Sequence, residues 1–200
     1  LKNGYGFGEI VNNAISLVYT KMFYKGARLI RRPVFIRGKK FLEYGEGLTT
    51  GYNCRIEMFN IGNTVGKKLI IGKNCKIGDY VHIAAGETVT IGNNCLMASK
   101  IYISDIIHGD YSGNVECSSP DIPPDIRPLC TKAVSIGNNV WIGENVCILP
   151  GVNIGDGCVI GANTVVNRDV PDNCMVAGAP AKVIKKWDTE LKLWIKCSKK

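Results

Sequence analysis

The chain predicts a parallel β-helix, an all-β solenoid built from six-residue units. Three observations carry this expectation. Eight Ile-Gly dipeptides begin at Ile61, Ile71, Ile77, Ile91, Ile136, Ile142, Ile154 and Ile160, many spaced by six residues or a multiple of six. With Ile as the first position, the fifth is Cys75, Val81, Cys95, Val140, Val146, Cys158 or Thr164, always small or β-branched. The fourth is Asn74, Asn94, Asn139, Asn145, Gly157 or Asn163, with Tyr80 the exception. Asn and Gly tolerate the left-handed backbone of a tight corner, so each hexad reads as a short strand followed by a turn. An ordinary sandwich has no reason to repeat that three-position code.

The elements follow in chain order. Residues 1–33 form an N-terminal helical segment. Within it, residues 9–25 place Ile10, Val11, Ala14, Ile15, Val18, Met22 and Phe23 near helical spacing, and Gly26 is a natural stop. This amphipathic helix is expected to cover the open end of the solenoid, whose first strand otherwise exposes an unpaired edge. The basic residues that follow support a second reading, peripheral association with a membrane surface. The β-helix domain spans 34–181. Its irregular hexads begin at Tyr44, Thr50 and Ile56, an insertion containing "IGNTVGKK" leads to clean repeats at 71, 77 and 83, and two extra residues shift the phase before 91. The repeats stop at His108 and resume at Ile136, separated by a loop (109–133) with Pro120, Pro123, Pro124 and Pro128. A loop this long inside a repeat is usually functional. Residues 182–200 read as a short basic helix capping the other end.

Composition bounds the function. Two hundred residues with 46% apolar content suit one folded domain. No apolar run approaches a membrane span, and "LKNGYGFGE" does not read as a signal peptide, so the chain is expected to be soluble and cytoplasmic, with the inner membrane surface as the second location. Nine cysteines are an odd number, and Cys75, Cys95 and Cys158 occupy the small hexad position, with Cys54 expected to join them; they read as core filler rather than a disulfide framework. The net charge of +8 gathers early and late, which suits phosphate-bearing partners. No nucleic-acid module accompanies it.

Only His82 and His108 are available as imidazole bases. Both occupy the sixth hexad position, which strand alternation points outward. His108 stands at the mouth of the long loop and is the stronger catalytic candidate; His82 is a candidate for substrate contact.

The repeats together with "VTIGNNCLMASKIYISDIIHG", "IRPLCTKAVSIGNNVWIGENVCILPGVNIGDGCVIGANTVV" and "VAGAPAKVI" resemble the hexapeptide-repeat acyltransferases over most of residues 30–186. The likeness is to the sugar O-acetyltransferase branch, nearest to the O-acetyltransferases of lipopolysaccharide O-antigen synthesis. The resemblance implies a left-handed β-helix with three hexads per coil, a homotrimer with active sites at subunit boundaries, acetyl-CoA as donor and no metal. It implies His108 as catalytic base, Trp141 beside the saccharide acceptor, and Ala162, Asn167, Arg168, Lys182 and Lys185 against coenzyme A. Gly143 and Glu144 are implied to supply backbone N–H groups at the oxyanion. Small Ala162, Gly178 and Ala179 leave room for a thiol arm, and the cations suit its phosphates. Two departures matter. Where relatives in this branch often have Asp-His-x-His, the chain has Asp105-Ile106-Ile107-His108, and Gly78 and Gly86 replace an acceptor-binding asparagine and aspartate, so the acceptor is not carried over.

A sugar hydroxyl needs a positioned base to attack a thioester, and His108 would supply it. The alternatives are N-acetylation of an amino sugar, a xenobiotic acetyltransferase, and a catalytically silent β-helix serving as a binding module. A three-histidine metal hydratase is excluded by the count of two histidines.

Overall fold

The computed structural model describes residues 4–61, 65–114 and 117–197; Gly62 of the first Ile-Gly pair and the centre of the "IGNTVGKK" insertion lie outside the described residues. From Leu29 onward the chain winds through three parallel sheets in strict rotation, each sheet forming one wall of a three-sided coil. The first wall contains Leu29–Ile30, Thr49–Thr50, Lys76–Ile77, Leu96–Met97, Trp141–Ile142, Val159–Ile160 and Cys174–Ala177. The second contains Val34–Arg37, Cys54–Met58, His82–Ala85, Tyr102–Ser104, Cys147–Ile148 and Val165–Val166. The third contains Leu42–Tyr44, Leu69–Ile71, Val89–Ile91, Val134–Ile136 and Asn153–Ile154.

The hexad code sets this geometry. First-position residues stack inward in register, Ile77 on Met97, Ile142, Ile160 and Val176, and all are buried. The fifth-position residues are buried as well, Thr164 included. Fourth-position residues adopt the left-handed conformation, from Asn139 and Asn145 (φ 56°) to Gly157 (φ 65°). Tyr80 (φ 57°) takes the same turn, so the exception lies in residue type alone. The buried thiols do more than fill space. Cys54, Cys75, Cys95 and Cys158 each donate to a carbonyl of the next coil at 3.0–3.1 Å, namely Gly78, Gly92, Gly137 and Pro171. Burial pushes the Cys54 thiol up to about 11.

The N-terminal helix α1 (Phe7–Phe23) covers the edge of the first coil, but with its polar face. The Ile30 and Arg32 N–H groups lack a β partner on that side and donate instead to Thr20 Oγ1 (2.8 Å) and Ser16 Oγ (3.1 Å). Asn13 Oδ1 accepts from Arg31 Nε and Tyr52 Oη. An open strand edge needs oxygen acceptors before it needs apolar cover, which is why Ser16 and Thr20 are the buried residues of this helix.

At the opposite end the expected C-terminal basic helix is corrected to a β-hairpin. Lys182–Asp188 runs antiparallel to Cys174–Ala177, and Leu193–Lys196 folds back on it. Two forces override helix formation. The last strand of the first wall presents an unpaired edge, and Trp187 meets Trp194 edge-on across the hairpin at 5.6 Å.

Candidate functional site

The coil is interrupted where the second wall would turn into the third. Ile106–His108 leaves the wall and pairs antiparallel with Leu129–Thr131, so the long insertion is a hairpin rather than a loose cover. Asp105 holds its neck. This fully buried carboxylate accepts from the N–H groups of Gly86 (2.7 Å), Glu87 (2.9 Å) and Thr88 (2.7 Å), while the Asp105 carbonyl accepts from Lys132 N (2.9 Å). Burial raises its pKa above the usual 3.8, against the opposing pull of those three donors. Further out, Arg127 donates to Tyr111 Oη (2.7 Å), Ile122 O (2.8 Å) and Pro120 O (3.2 Å). The Tyr111 hydroxyl donates to His108 O at 2.8 Å, which fixes the backbone of the histidine. The His108 side chain itself is exposed and makes no hydrogen bond among the described residues.

His82 lies on the outward row of the second wall, between Arg55 and Tyr102. Its Nε2 is 3.2 Å from Glu57 Oε2, and its ring meets Tyr102 edge-on at 5.4 Å. Glu57 is buried and also pairs with Arg55 (2.6 Å) and Arg37 (3.3 Å). Burial opposes its charge, but the Arg55 guanidinium, then His82 and Arg37, hold its pKa below the usual 4.5. Phe35, Arg37, Arg55 and Glu57 border a surface hollow of about 640 Å³.

The donor candidates fall into two groups. Gly143, Glu144 and Ala162 share the corner between the first and second walls with Gly178. A Cβ at Gly143 would lie 2.7 Å from Ala162 N, and Asn163 N donates to Glu144 O at 2.8 Å. Asn167 and Arg168 follow the second wall, at the corner from which the His108 hairpin departs two coils earlier. Arg168 and Lys182 line one cavity of about 220 Å³ with Asp169, Val170 and Ala181. Lys185 sits apart on the C-terminal hairpin, opposite Met175. Trp141 faces outward from the first wall, 53% exposed, between Leu96 and Val159.

One expectation is corrected. The Gly143 N–H donates to Ile160 O at 2.8 Å as part of the wall ladder and cannot serve an oxyanion. The Glu144 N–H has no partner among the described residues. Sequence reasoning also passed over Glu57, Asp105 and Arg127. Asp105 carried a signal, as an acidic residue at the point where the hexads break.

Comparison with known proteins agrees with this geometry. The family model described as bacterial transferase hexapeptide (six repeats) matches residues 133–168. The chain is 43% identical over 98% of its length, and 97% of the relative's, to WbbJ of Escherichia coli K12, named there as a candidate lipopolysaccharide biosynthesis O-acetyl transferase. Its fold matches a mutant of AntD, an N-acyltransferase from Bacillus cereus solved with dTDP-4-amino-4,6-dideoxyglucose and coenzyme A. That match has a TM-score of 0.67 and 23% identity over 94% of this chain and 92% of that one. A hexapeptide-repeat acetyltransferase from Vibrio cholerae O1 biovar eltor, complexed with acetyl coenzyme A, matches with a TM-score of 0.52 and 27% identity, over 78% and 71%. With a fold shared with these acyltransferases and a relative 43% identical over nearly the whole of both chains, the chain belongs to the hexapeptide-repeat acyltransferases.

Proposed function

We propose that the protein transfers an acetyl group from acetyl-CoA to a hydroxyl of a saccharide precursor, with His108 as general base. One observation carries this reading: an imidazole with no internal partner among the described residues stands on a braced hairpin where the coil is interrupted after Ser104. The imidazole takes the hydroxyl proton as oxygen attacks the thioester carbonyl, and the proton passes to the departing thiolate, a contribution of about 10² to 10⁴ in rate. Holding acceptor and thioester in one cleft supplies the rest, without an acyl-enzyme. The Glu144 N–H is the donor available to the oxyanion. Ala162, with Gly178, leaves a channel for the pantetheine arm, and Asn167, Arg168, Lys182 and Lys185 hold the phosphates. Trp141 and His82 contact the saccharide.

The site is completed by a second copy in a trimer of left-handed coils. The hairpin leaves the corner of the second and third walls, whereas Trp141 faces out from the first, so one chain cannot bring them together. Leu96 and Trp141 are apolar on the outward row of the first wall, Phe35 and Tyr102 on that of the second. The third wall presents Thr90, Ser135 and Asn153, with Ser135 Oγ donating to Asn153 Oδ1 at 2.8 Å. First wall against second wall, repeated three times, closes a ring and leaves the polar wall to solvent. Use of acetyl-CoA places the reaction in the cytoplasm.

The test is thiol release from acetyl-CoA over a panel of mono- and oligosaccharides. His108→Ala is expected to lower turnover about 10²-fold or more with little change in donor affinity. Near-normal turnover in a folded variant contradicts the assignment.

A further inference from the structure

Helix α1 is amphipathic in the inverse sense for a soluble protein. The side that touches the coil carries Asn13, Ser16 and Thr20, and the opposite side carries Phe7, Val11, Ala14, Ile15, Val18 and Met22. Phe7 is 82% exposed, Met22 70% and Val18 60%. From Phe7 to Met22 this stripe runs about 22 Å along the helix, far larger than the scattered exposed apolar residues of an ordinary surface. Charge gathers around it. Between residues 4 and 40 there are eight Lys and Arg against the single Glu9, while the rest of the chain carries seventeen cations and sixteen anions. Lys39 Nζ bonds the Phe23 carbonyl at the end of the helix, and Arg32 stacks over Tyr19 on its flank, so these cations border the stripe.

We propose that the outer face of α1 docks the protein on an anionic phospholipid surface. The helix lies in the interface with its apolar side chains among the acyl chains and its flanking cations at the lipid phosphates. It lies on the bilayer rather than through it, since no helix among the described residues is long and apolar enough to cross. A second copy of the chain is the poorer occupant. Paired face to face, two such helices would bring two sets of flanking cations together, Arg32 and Lys39 among them. The face also points along the coil axis, because the Ile30 and Arg32 N–H groups that reach α1 are the axial groups of the first coil, whereas the apolar rows facing a neighbour lie on the walls. The anchor adds to the proposed acetyl transfer a lipid surface on which the enzyme meets its acceptor.

The test is co-sedimentation of the full chain with vesicles of phosphatidylcholine alone and of equal parts phosphatidylcholine and phosphatidylglycerol. Binding is expected to the anionic vesicles and to weaken with salt. The double variant Val18→Glu/Met22→Glu changes exposed side chains only. It is expected to lose at least about tenfold in partition, with unchanged Tm and unchanged thiol release on soluble saccharide. Lys21→Ala and Lys25→Ala are each expected to weaken partition about fivefold. The proposal is overturned if the wild-type protein ignores anionic vesicles, or if the double variant binds them equally well. It is equally overturned if that variant instead lowers the molar mass by light scattering, which would assign the face to another copy. Loss of transferase activity in the wild-type protein would leave the vesicle result standing, so the two readings fail separately.

Discussion

Glu57 is held ionised by the guanidiniums of Arg55 and Arg37 and a hydrogen bond with His82, which reach it from three different strands, against the cost of its burial. Because its folded pKa lies below the ordinary value, the stabilisation is complete above about pH 4.5 and is lost as pH falls through the lower folded value. Calorimetry between pH 7 and pH 3 on the wild type and Glu57→Gln should show a lower Tm for the variant at pH 7 and a shallower acid limb. Equal acid slopes would mean that the cluster is held by packing rather than charge. This cluster was illegible in the sequence because it depends on register. Arg37, Arg55, Glu57 and His82 meet only after the irregular early coils are laid on one another, and no six-residue code marks that alignment. The place of His108 at the interruption of the coil was legible for the opposite reason, since a break in a regular pattern is itself a signal. The corrected role of Gly143 has a third cause: a backbone N–H committed to the neighbouring coil looks the same in sequence as a free one.

The hairpin that carries His108 is an element whose stiffness comes from its neck, and under the proposed function Asp105 is the positioning residue of the base. Asp105→Ala removes the acceptor of one buried N–H group, that of Gly86, and two half-buried ones, a cost of about 2–4 kcal/mol. Turnover is expected to fall about tenfold or more as the base loses its placement, with the KM for acetyl-CoA nearly unchanged. Asp105→Asn keeps one acceptor oxygen and should recover part of the turnover. A purely structural role would instead lower both variants' activity only in proportion to the unfolded fraction. Steady-state kinetics beside thermal melts separate the two. Among elements, the repeats from Tyr44 onward were legible because every hexad restates the same demand, but the first strand of the coil, Leu29–Ile30, lies inside the stretch 1–33 that was expected to be helical. The ends were less so. Helix spacing located α1 within two residues at each boundary, but periodicity does not say which face meets the coil. The stretch from Lys182 to Asp188 became strand because an open edge lay beside it.

A coil whose turns touch only their neighbours behaves as a one-dimensional stack, and the trimer proposed for it makes each reaction centre the joint product of two stacks. Two inactive chains should therefore rescue each other. His108→Ala lacks the base, and Ala162→Trp obstructs the corner on which the thiol arm would run. Mixed trimers reassembled from both should regain turnover that neither homotrimer has; strict inactivity of the mixture would place base and donor corner on the same chain. The stack also has a direction in time. Helix α1 is made before the strand edge that it closes, because Thr20 and Ser16 wait for the amides of Ile30 and Arg32, and those amides are held in place only after Thr49–Thr50 has paired with the first strand. During synthesis the cap thus precedes its vessel by the chain from Phe23 to Thr50, roughly one to five seconds at the ribosome's pace. Throughout that interval its polar side has no coil to hold it, while its apolar side is already free to meet whatever surface lies nearest.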